Sequence, residues 1–334
     1  MADNDNEDDK RKKLDSLKKF SSFASDLIPT SVNNEAPLAR IKNTKWKQLV
    51  YSPTALMQLS LPHEDPGNIS TWKVRNGEAD ILLRSGSLDD DKGRSSPTLL
   101  PYGWFPRFLL LWIQFHVQNT QERDIFFGRS FAQMLERVLQ LGRQTSNYKN
   151  VKTQFPRLLH YEMEVHQHYP AIDVARGLPF QGEGEHVEFH RFVRGYDRFT
   201  DQKKADKKAF RIYLSESFYT SILTNPLSIN MDHVRKLVHG GNTYNIDMYT
   251  FLCERLHLLE EDKPLHVVRS DIEDLFGTNV SDRGKFYRDN FLKEIVPAVK
   301  EVYPEANLSA DKDGLTLYKS PPPCPATQKI ESDS

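Results

Sequence analysis

The segment that most restricts the fold is 270–320, near the end of this chain of 334 residues. Residues 271–276 are typical of a short helix, with Ser270 as its cap and Gly277 at its end. A second helix is predicted from about Asp282, because apolar residues recur at helical spacing along one face: Tyr287, Phe291, Ile295, Val299 and Val302. Asp313-Gly314 between two alternating runs then indicates a β-hairpin. Helix, turn, helix and hairpin in this order predict a winged helix.

The second helix of this unit carries cations on its exposed sides, near its N-terminal half. They are Arg283, Lys285, Arg288 and Lys293. This is the end that a recognition helix inserts into the major groove of DNA. Lys312 is predicted at the hairpin tip, in position for a phosphate. The alternative is a solvated basic face without a ligand.

A second basic run lies at 137–157 and contains no acidic residue. Its pattern predicts another helix-turn-helix, with strands 165–174 and 187–193 as the hairpin beside it. Uncompensated cations on such a unit are an electrostatic signature of DNA binding. The candidate contacts are Arg143, Lys149, Lys152, Gln154 and Arg157. A solvated face is again the alternative.

The rest of the chain predicts an α+β fold, mainly helical, with two tandem winged-helix domains. Strands are expected at 46–61, 71–84 and 210–214, and helices at 102–117, 127–141, 148–164, 216–224, 231–238 and 246–259. The predicted divisions are a disordered and amphipathic segment at 1–45 with a helix at 10–26, an N-terminal domain at 46–195, a linker at 196–208, a C-terminal domain at 209–320, and a disordered tail at 321–334.

Composition excludes several classes of protein. The net charge is −1, so a uniformly basic nucleic-acid coat is excluded, although local basic surfaces are not. Two cysteines cannot form a disulfide framework or a cysteine-built zinc site. No stretch reaches the ~18 apolar residues of a membrane span, and the acidic N-terminus does not resemble a targeting signal. We therefore expect a cytoplasmic protein.

Histidines raise the question of metal or nicking chemistry. His166 and His168 surround Gln167, where a nicking enzyme has a hydrophobic residue between two metal-binding histidines. His186, Glu188 and His190 share one strand face by alternation and could complete a metal site with them. The preferred interpretation is a half-exposed strand with Val187 and Phe189 packed inward. No phosphate-binding loop occurs, and Cys253 falls on an apolar helix face. We expect no catalysis, no cofactor and no metal.

Five segments, in order, resemble the RepA family of plasmid replication initiators. They are RNGEADILL (75–83), LPYGWFPRFLLLWI (100–113), YLSESFYTSILTNPLSINMDHVRKL (213–237), NIDMYTFLCERL (245–256) and FYRDNFLKEIVPAVKEVYPEANL (286–308). The resemblance extends from about residue 46 to 323.

The resemblance implies a bacterial plasmid protein with two winged-helix domains, located with plasmid DNA in the cytoplasm. Such proteins bind repeats at a double-stranded origin, help to open the duplex and recruit the host initiator and helicase machinery. Many repress their own promoter, often as homodimers, and so control plasmid copy number. It assigns the reading helix to Arg283, Lys285, Arg288 and Lys293. Two alternatives remain: a repressor without replication activity, and a rolling-circle nicking enzyme.

Overall fold

The computed structural model describes residues 52–76, 79–89, 95–142, 145–171, 182–200, 208–277 and 280–324. The helix predicted at 10–26 and the last ten residues of the predicted tail lie outside these ranges. Within them the fold mixes helices and strands, which confirms an α+β class.

The elements up to residue 214 belong to the first half of the chain. Its helices are α1 (Pro53–Leu59), α2 (Trp104–Thr120), α3 (Phe131–Gln133, continued by a π-helical turn at Met134–Val138) and α4 (Thr145–His160). Its strands are β1 (Thr71–Asn76), β2 (Ala79–Arg84), β3 (Ser87–Asp89), β4 (Ser95–Pro97), β5 (Asp124–Phe126), β6 (Glu162–Ala171), β7 (Gly182–His190), β8 (Val193–Thr200) and β9 (Lys208–Leu214).

The second half is richer in helix. It contains α5 (Glu216–Thr224), α6 (Met231–His239), α7 (Thr243–Arg255, continued by a 3-10 turn at Leu256–Leu258), β10 (Leu265–Val268), α8 (Arg269–Phe276), α9 (Arg283–Lys285), a π-helical segment (Phe286–Ile295), α10 (Val296–Val302), β11 (Leu308–Ala310) and β12 (Gly314–Leu317). The helices predicted at 216–224 and 231–238 are confirmed to within one residue, and the helix predicted at 102–117 is confirmed with its ends shifted by two and three residues.

The strand predicted at 46–61 is wrong over its described part, because α1 is a helix. The Ser52 hydroxyl accepts a hydrogen bond from the Ala55 N–H at 3.3 Å, and Pro53 occupies the first turn. A side-chain cap followed by proline is a helix start signal. The alternating apolar residues were therefore misread as a strand.

Two three-stranded sheets share one topology. The first has the order β5-β9-β8, and the second has the order β10-β12-β11. In each sheet, the last strand in sequence (β9 or β12) lies in the middle. It pairs with the strand that comes before two helices in the chain, which is β5 in the first sheet and β10 in the second. Residues 196–200 of the predicted linker belong to β8, which pairs with β9 from Thr200↔Lys208 to Val193↔Leu214. The first five linker residues are thus part of a sheet.

A third, four-stranded sheet has the order β1-β2-β6-β7 and is antiparallel throughout. The strands predicted at 165–174 and 187–193 correspond to β6 and β7. They pair with each other as expected, but β6 also pairs with β2, so the hairpin belongs to this sheet and not to the one beside α4. The two strands predicted as the hairpin of the first helix-turn-helix therefore do not belong to the sheet beside α4.

The two halves meet at a buried ion pair. Arg107 of α2 is fully buried, and its Nε donates to both carboxylate oxygens of Asp247 on α7, at 2.9 and 3.1 Å. Its Nη1 and Nη2 donate to the carbonyl oxygens of Pro62 and Leu61. Gln58 of α1 adds a hydrogen bond to Asp247 at 3.0 Å. Burial acts to raise the pKa of Asp247, and the hydrogen bonds from Arg107 oppose it.

His63 completes this cluster. Its ring stacks on Tyr244 with centroids 3.7 Å apart, and its Nδ1 lies 2.8 Å from the Thr243 hydroxyl. Its Nε2 faces Asp247 at 3.5 Å. Burial, helped by the Arg107 charge, holds the pKa of His63 well below its usual 6.5. His63 is therefore neutral in the folded protein near neutral pH.

We predict that Arg107→Met lowers the free energy of unfolding by about 3–5 kcal/mol, because it leaves Asp247 buried without its partner. Lys73→Met is the matched control. It breaks an exposed pair with Asp80, so it should cost about 1 kcal/mol or less. Urea unfolding of both variants measures this, and equal losses would contradict the structural importance of the buried pair.

The lowered pKa of His63 leads to a second prediction, which concerns the pH dependence of stability. As pH falls through about 6.5, His63 takes up a proton in the unfolded chain but not in the folded one, so stability falls. Urea unfolding at pH 7.5 and 5.5 should show this loss in the wild type and a smaller loss in His63→Phe. His239→Gln, at an exposed histidine, should keep the wild-type pH dependence.

Candidate nucleic-acid interface

The C-terminal basic helix, defined as residues 283–302, begins at a capped turn. Asp282 Oδ1 accepts a hydrogen bond from the Lys285 N–H at 2.8 Å. The apolar face predicted from the sequence is buried in full: Tyr287, Phe291, Ile295, Val299 and Val302. The four predicted cations, Arg283, Lys285, Arg288 and Lys293, are all exposed. The sequence therefore divided this helix correctly into a core side and a solvent side.

The middle of this helix is π-helical, which the sequence analysis did not predict. The Val296 N–H donates to the Phe291 carbonyl, five residues earlier. Pro297 follows and has no N–H to continue the ordinary ladder. Such wide turns are uncommon and frequently occur at functional sites. Arg288 and Lys293 lie within this π-helical segment, whereas Arg283 and Lys285 precede it.

Two of the four cations have carboxylate partners. Arg283 Nη1 donates to Asp274 Oδ1 of α8 at 2.7 Å, and Lys293 Nζ donates to Asp289 Oδ1 at 2.8 Å. The bond from Lys293 lowers the pKa of Asp289. Within the described part of the chain, neither Lys285 nor Arg288 has a recorded ion pair or side-chain hydrogen bond. These two are the cations most available to a phosphate.

The hairpin of β11 and β12 is fastened to the basic helix. Tyr287 is buried, and its hydroxyl donates to the Asp311 carbonyl at 2.7 Å. Asp311 Oδ1 accepts hydrogen bonds from the Asp313 and Gly314 N–H groups, which lower the pKa of Asp311. Lys312 is exposed at the turn, where it was predicted. Helix and hairpin therefore form one rigid surface.

The N-terminal basic helix is α4, and it keeps only part of its predicted contacts. Lys149 and Lys152 are exposed. Gln154 is buried, and its Oε1 accepts a hydrogen bond from the Tyr102 N–H at 2.9 Å. A side chain used in this way cannot reach a base edge, so Gln154 is a structural residue here. Its position on the helix face toward α2 explains the error.

Arg157 is half-buried. Its Nη1 donates to the Leu100 carbonyl at 3.2 Å, and its guanidinium lies 5.3 Å from the centre of the Tyr102 ring. Arg143 lies outside the described residues. The two lysines are therefore the clearest exposed cations of this helix.

The sheet beside α4 carries arginines that sequence reasoning missed. Arg194, Arg198 and Arg211 are exposed on β8 and β9. Arg194 lies 5.6 Å from the centre of the Tyr213 ring, and Arg211 lies 5.8 Å from that of Phe126. Arg198 was missed because its segment was assigned to a linker, whereas Arg194 lies just before that segment and Arg211 lies in a predicted strand. The alternation of VRGYDRFT is the signal that could have found Arg194 and Arg198.

The described side chains of the histidine cluster do not converge. Pairing registers place Glu164 and His166 on one sheet face, and Glu188 and His190 on the other. His166 and His190 bond to their own strand neighbours, Glu164 and Glu188. Among described residues, no group of three or more such side chains could hold a metal ion. The prediction that Phe189 packs inward is wrong, since it is 71% exposed.

Two further observations bear on earlier expectations. Cys253 is buried in the core as predicted, and burial raises the pKa of its thiol. No described helix combines the length and the apolar composition that a membrane crossing requires.

Comparison with known families decides the relationship. The family model described as plasmid encoded RepA protein matches residues 100–270, just over half of the chain. The chain belongs to the plasmid-encoded RepA protein family. This confirms the resemblance seen in the sequence and the association with plasmid replication. In this RepA family member, the match includes α4, the β5-β9-β8 sheet and the Arg107–Asp247 pair, and it ends before Arg283.

Solved structures add information on the fold. A crystal structure of selenomethionine derivatives of RctB domains 2 and 3 matches with a TM-score of 0.51 and 10% identity, over 81% of this RepA family member and 99% of that chain. Another crystal structure of RctB domains 2-3 matches with a TM-score of 0.49 and 10% identity, over 79% and 96%. At this identity the first match supports a shared fold only. No curated protein matches the sequence significantly.

Proposed function

We propose that this RepA family member is a plasmid replication initiator that binds double-stranded origin DNA sequence-specifically and acts without catalysis. It binds repeats at the origin, aids opening of the duplex, and recruits the host replication initiator and helicase. It also represses its own promoter, with homodimers as one acting form. It works in the bacterial cytoplasm on plasmid DNA.

One observation carries this proposal. The order strand, helix, basic helix, hairpin occurs twice, interrupted in the first unit by β6 and β7 of the four-stranded sheet, and each time the sheet order is first-last-middle: β5-β9-β8 and β10-β12-β11. Two winged-helix domains account for this repetition. We place the first from about residue 46 to the end of β9 and the second from there to about residue 320. The segment 201–207, DQKKADK, then connects the two wing strands of the first domain and is not a linker between domains.

The mechanism follows from the exposed groups. The first half of the C-terminal basic helix enters a major groove, with Lys285 and Arg288 on phosphates and Arg283 at a base edge. Lys312 contacts the backbone beside it. Lys149 and Lys152 make the corresponding contacts for α4, with Arg194, Arg198 and Arg211 as further candidates. Phosphate contacts of this kind supply much of the affinity and make it depend on salt.

The core contacts between the two halves determine how the two basic helices cooperate in binding DNA. Arg107–Asp247 and its neighbours join α2 to α7 directly, so neither basic helix is free to search independently. Binding of one helix presents the other at a fixed distance and rotation. Several such proteins on adjacent repeats strain the duplex at a cost of a few kcal/mol, which aids opening where A·T-rich DNA is near.

The first test is Lys285→Ala with Arg288→Ala, measured by fluorescence anisotropy on an origin fragment at several salt concentrations. Losing two phosphate contacts should reduce the slope of log affinity against log salt by about 2. Lys300→Ala, an exposed lysine in the last turn of α10, should leave the slope unchanged. If the double variant binds like the wild type, the assignment of this helix is wrong.

The same double variant should fail to maintain a plasmid that carries only the origin, when the protein is supplied in trans. Maintenance by the wild type distinguishes an initiator from a repressor alone. A covalent protein–DNA adduct on a denaturing gel, with metal present, would instead indicate nicking.

The second test varies the DNA and uses the wild-type protein. Base pairs are inserted between the two half-sites identified by footprinting. A rigid pair of reading helices should lose affinity at an insertion of about 5 bp and regain part of it at about 10 bp, because half-sites must face the same side of the helix. Equal affinity at all spacings would contradict rigid coupling while leaving DNA binding itself intact.

A further inference from the structure

The Arg283–Asp274 pair crosses the turn of the C-terminal helix-turn-helix. Asp274 lies near the end of α8, and Arg283 is the first residue of α9. Their contact of 2.7 Å therefore connects two helices. Both side chains stay accessible, with 44% of Arg283 and 62% of Asp274 exposed. A cation at the entering end of the basic helix is thus held by an anion of the preceding helix.

Among the described residues, Asp274 is the carboxylate partner of Arg283, and its contact leaves part of the guanidinium unengaged. Arginine has five N–H donors in a planar fork, and Asp274 engages the Nη1 side. The edge formed by Nε and Nη2 keeps two donors in the geometry that matches O6 and N7 of guanine. Fixing one side of the fork therefore orients the other.

The second ion pair of the C-terminal basic helix, Lys293–Asp289, differs from Arg283–Asp274 because both partners lie on one helix and the cation is a lysine. Lys293 and Asp289 lie one turn apart on the same helix, and 71% of Lys293 is exposed. Lysine is a compact charge on a flexible stem and reads no bidentate pattern. Its carboxylate partner reduces the net positive charge without orienting a reading group. Asp289 is therefore an internal control for Asp274.

Resting on the proposed function, we propose that Asp274 is a positioning residue that directs Arg283 to a base edge and keeps it from phosphates. Asp274 then determines specificity and not affinity alone. Non-cognate DNA offers Arg283 phosphates but no matching base edge, and the carboxylate repels the phosphates while it holds the guanidinium. Cognate DNA offers a matching base edge, and the pair strengthens as docking removes water around it.

The two effects have opposite signs when Asp274 is replaced. In Asp274→Asn, Arg283 is free to reach a phosphate, so affinity for non-cognate DNA rises. On cognate DNA the guanidinium loses its fixed direction, so affinity falls or stays constant. The ratio of the two affinities should fall by roughly threefold to tenfold, in the range of one exposed ion pair and one base contact.

The experiment measures binding to two duplexes of the same length and composition, one from the footprinted origin segment and one with scrambled order. Asp274→Asn should lower the affinity ratio and flatten the preference at one base pair of the site. Asp289→Asn should raise both affinities by one factor and keep the ratio. Asp274→Glu, which restores a carboxylate, should recover part of the ratio. Thermal unfolding verifies that these exposed substitutions leave the fold intact.

The outcomes separate the two claims. If the wild type binds both duplexes equally, the proposed function fails, and this inference fails with it. If the wild type discriminates and Asp274→Asn keeps the full ratio, the inference alone is overturned. It is also overturned if Asp274→Asn and Asp289→Asn lower the ratio equally, since that result reflects net charge and not positioning.

Discussion

The Arg107–Asp247 ion pair is the contact on which the arrangement of this protein depends. It joins α2 of the first half to α7 of the second, and both helices are largely buried. A charge placed in a core must keep its partner, because separating the two leaves an uncompensated buried ion. The net contribution of such a pair to stability is small, but removing one partner is costly. The pair therefore acts mainly against separation of the two halves. The N-terminal basic helix packs on α2 and the C-terminal basic helix packs on α7, so both are attached to this core.

Each basic helix is built on the same physical division. Aromatic and aliphatic side chains fix one side in the core, as Tyr287 and Phe291 do, so the cations opposite keep a defined direction. The Tyr287 hydroxyl also fastens the hairpin of β11 and β12 to the C-terminal basic helix. Rigid placement matters because a contact that is already oriented loses less side-chain entropy on binding. This is a reason for a reading surface to be placed on packed elements.

Sequence patterns predicted the C-terminal unit well because its signals are local. Helix period, the Asp282 cap and the Asp313-Gly314 turn each act within a few residues, and the family resemblance agreed with them. The first unit required knowledge of sheet pairing, which joins residues far apart: β5 pairs with β9 across more than eighty residues. Both β6–β7 and β8–β9 are hairpins that follow α4, and the period of the sequence does not indicate which of them pairs with β5. The predictions that Gln154 is exposed and that Phe189 is buried were wrong for a related reason. A sequence pattern indicates which residues share a face, but it does not indicate which face is covered by the rest of the protein.

The low net charge of the chain has a consequence for recognition. A strongly basic initiator would bind any DNA through phosphates, and abundant non-cognate sequence would then compete with a few origin repeats. Here Asp274 and Asp289 lie beside cations of the C-terminal basic helix and reduce its net positive charge. Under the proposed function, affinity lost in this way would be recovered by base contacts and by simultaneous use of both basic helices. Two basic helices of modest charge on one core would then favour repeated sites with regular spacing over DNA in general.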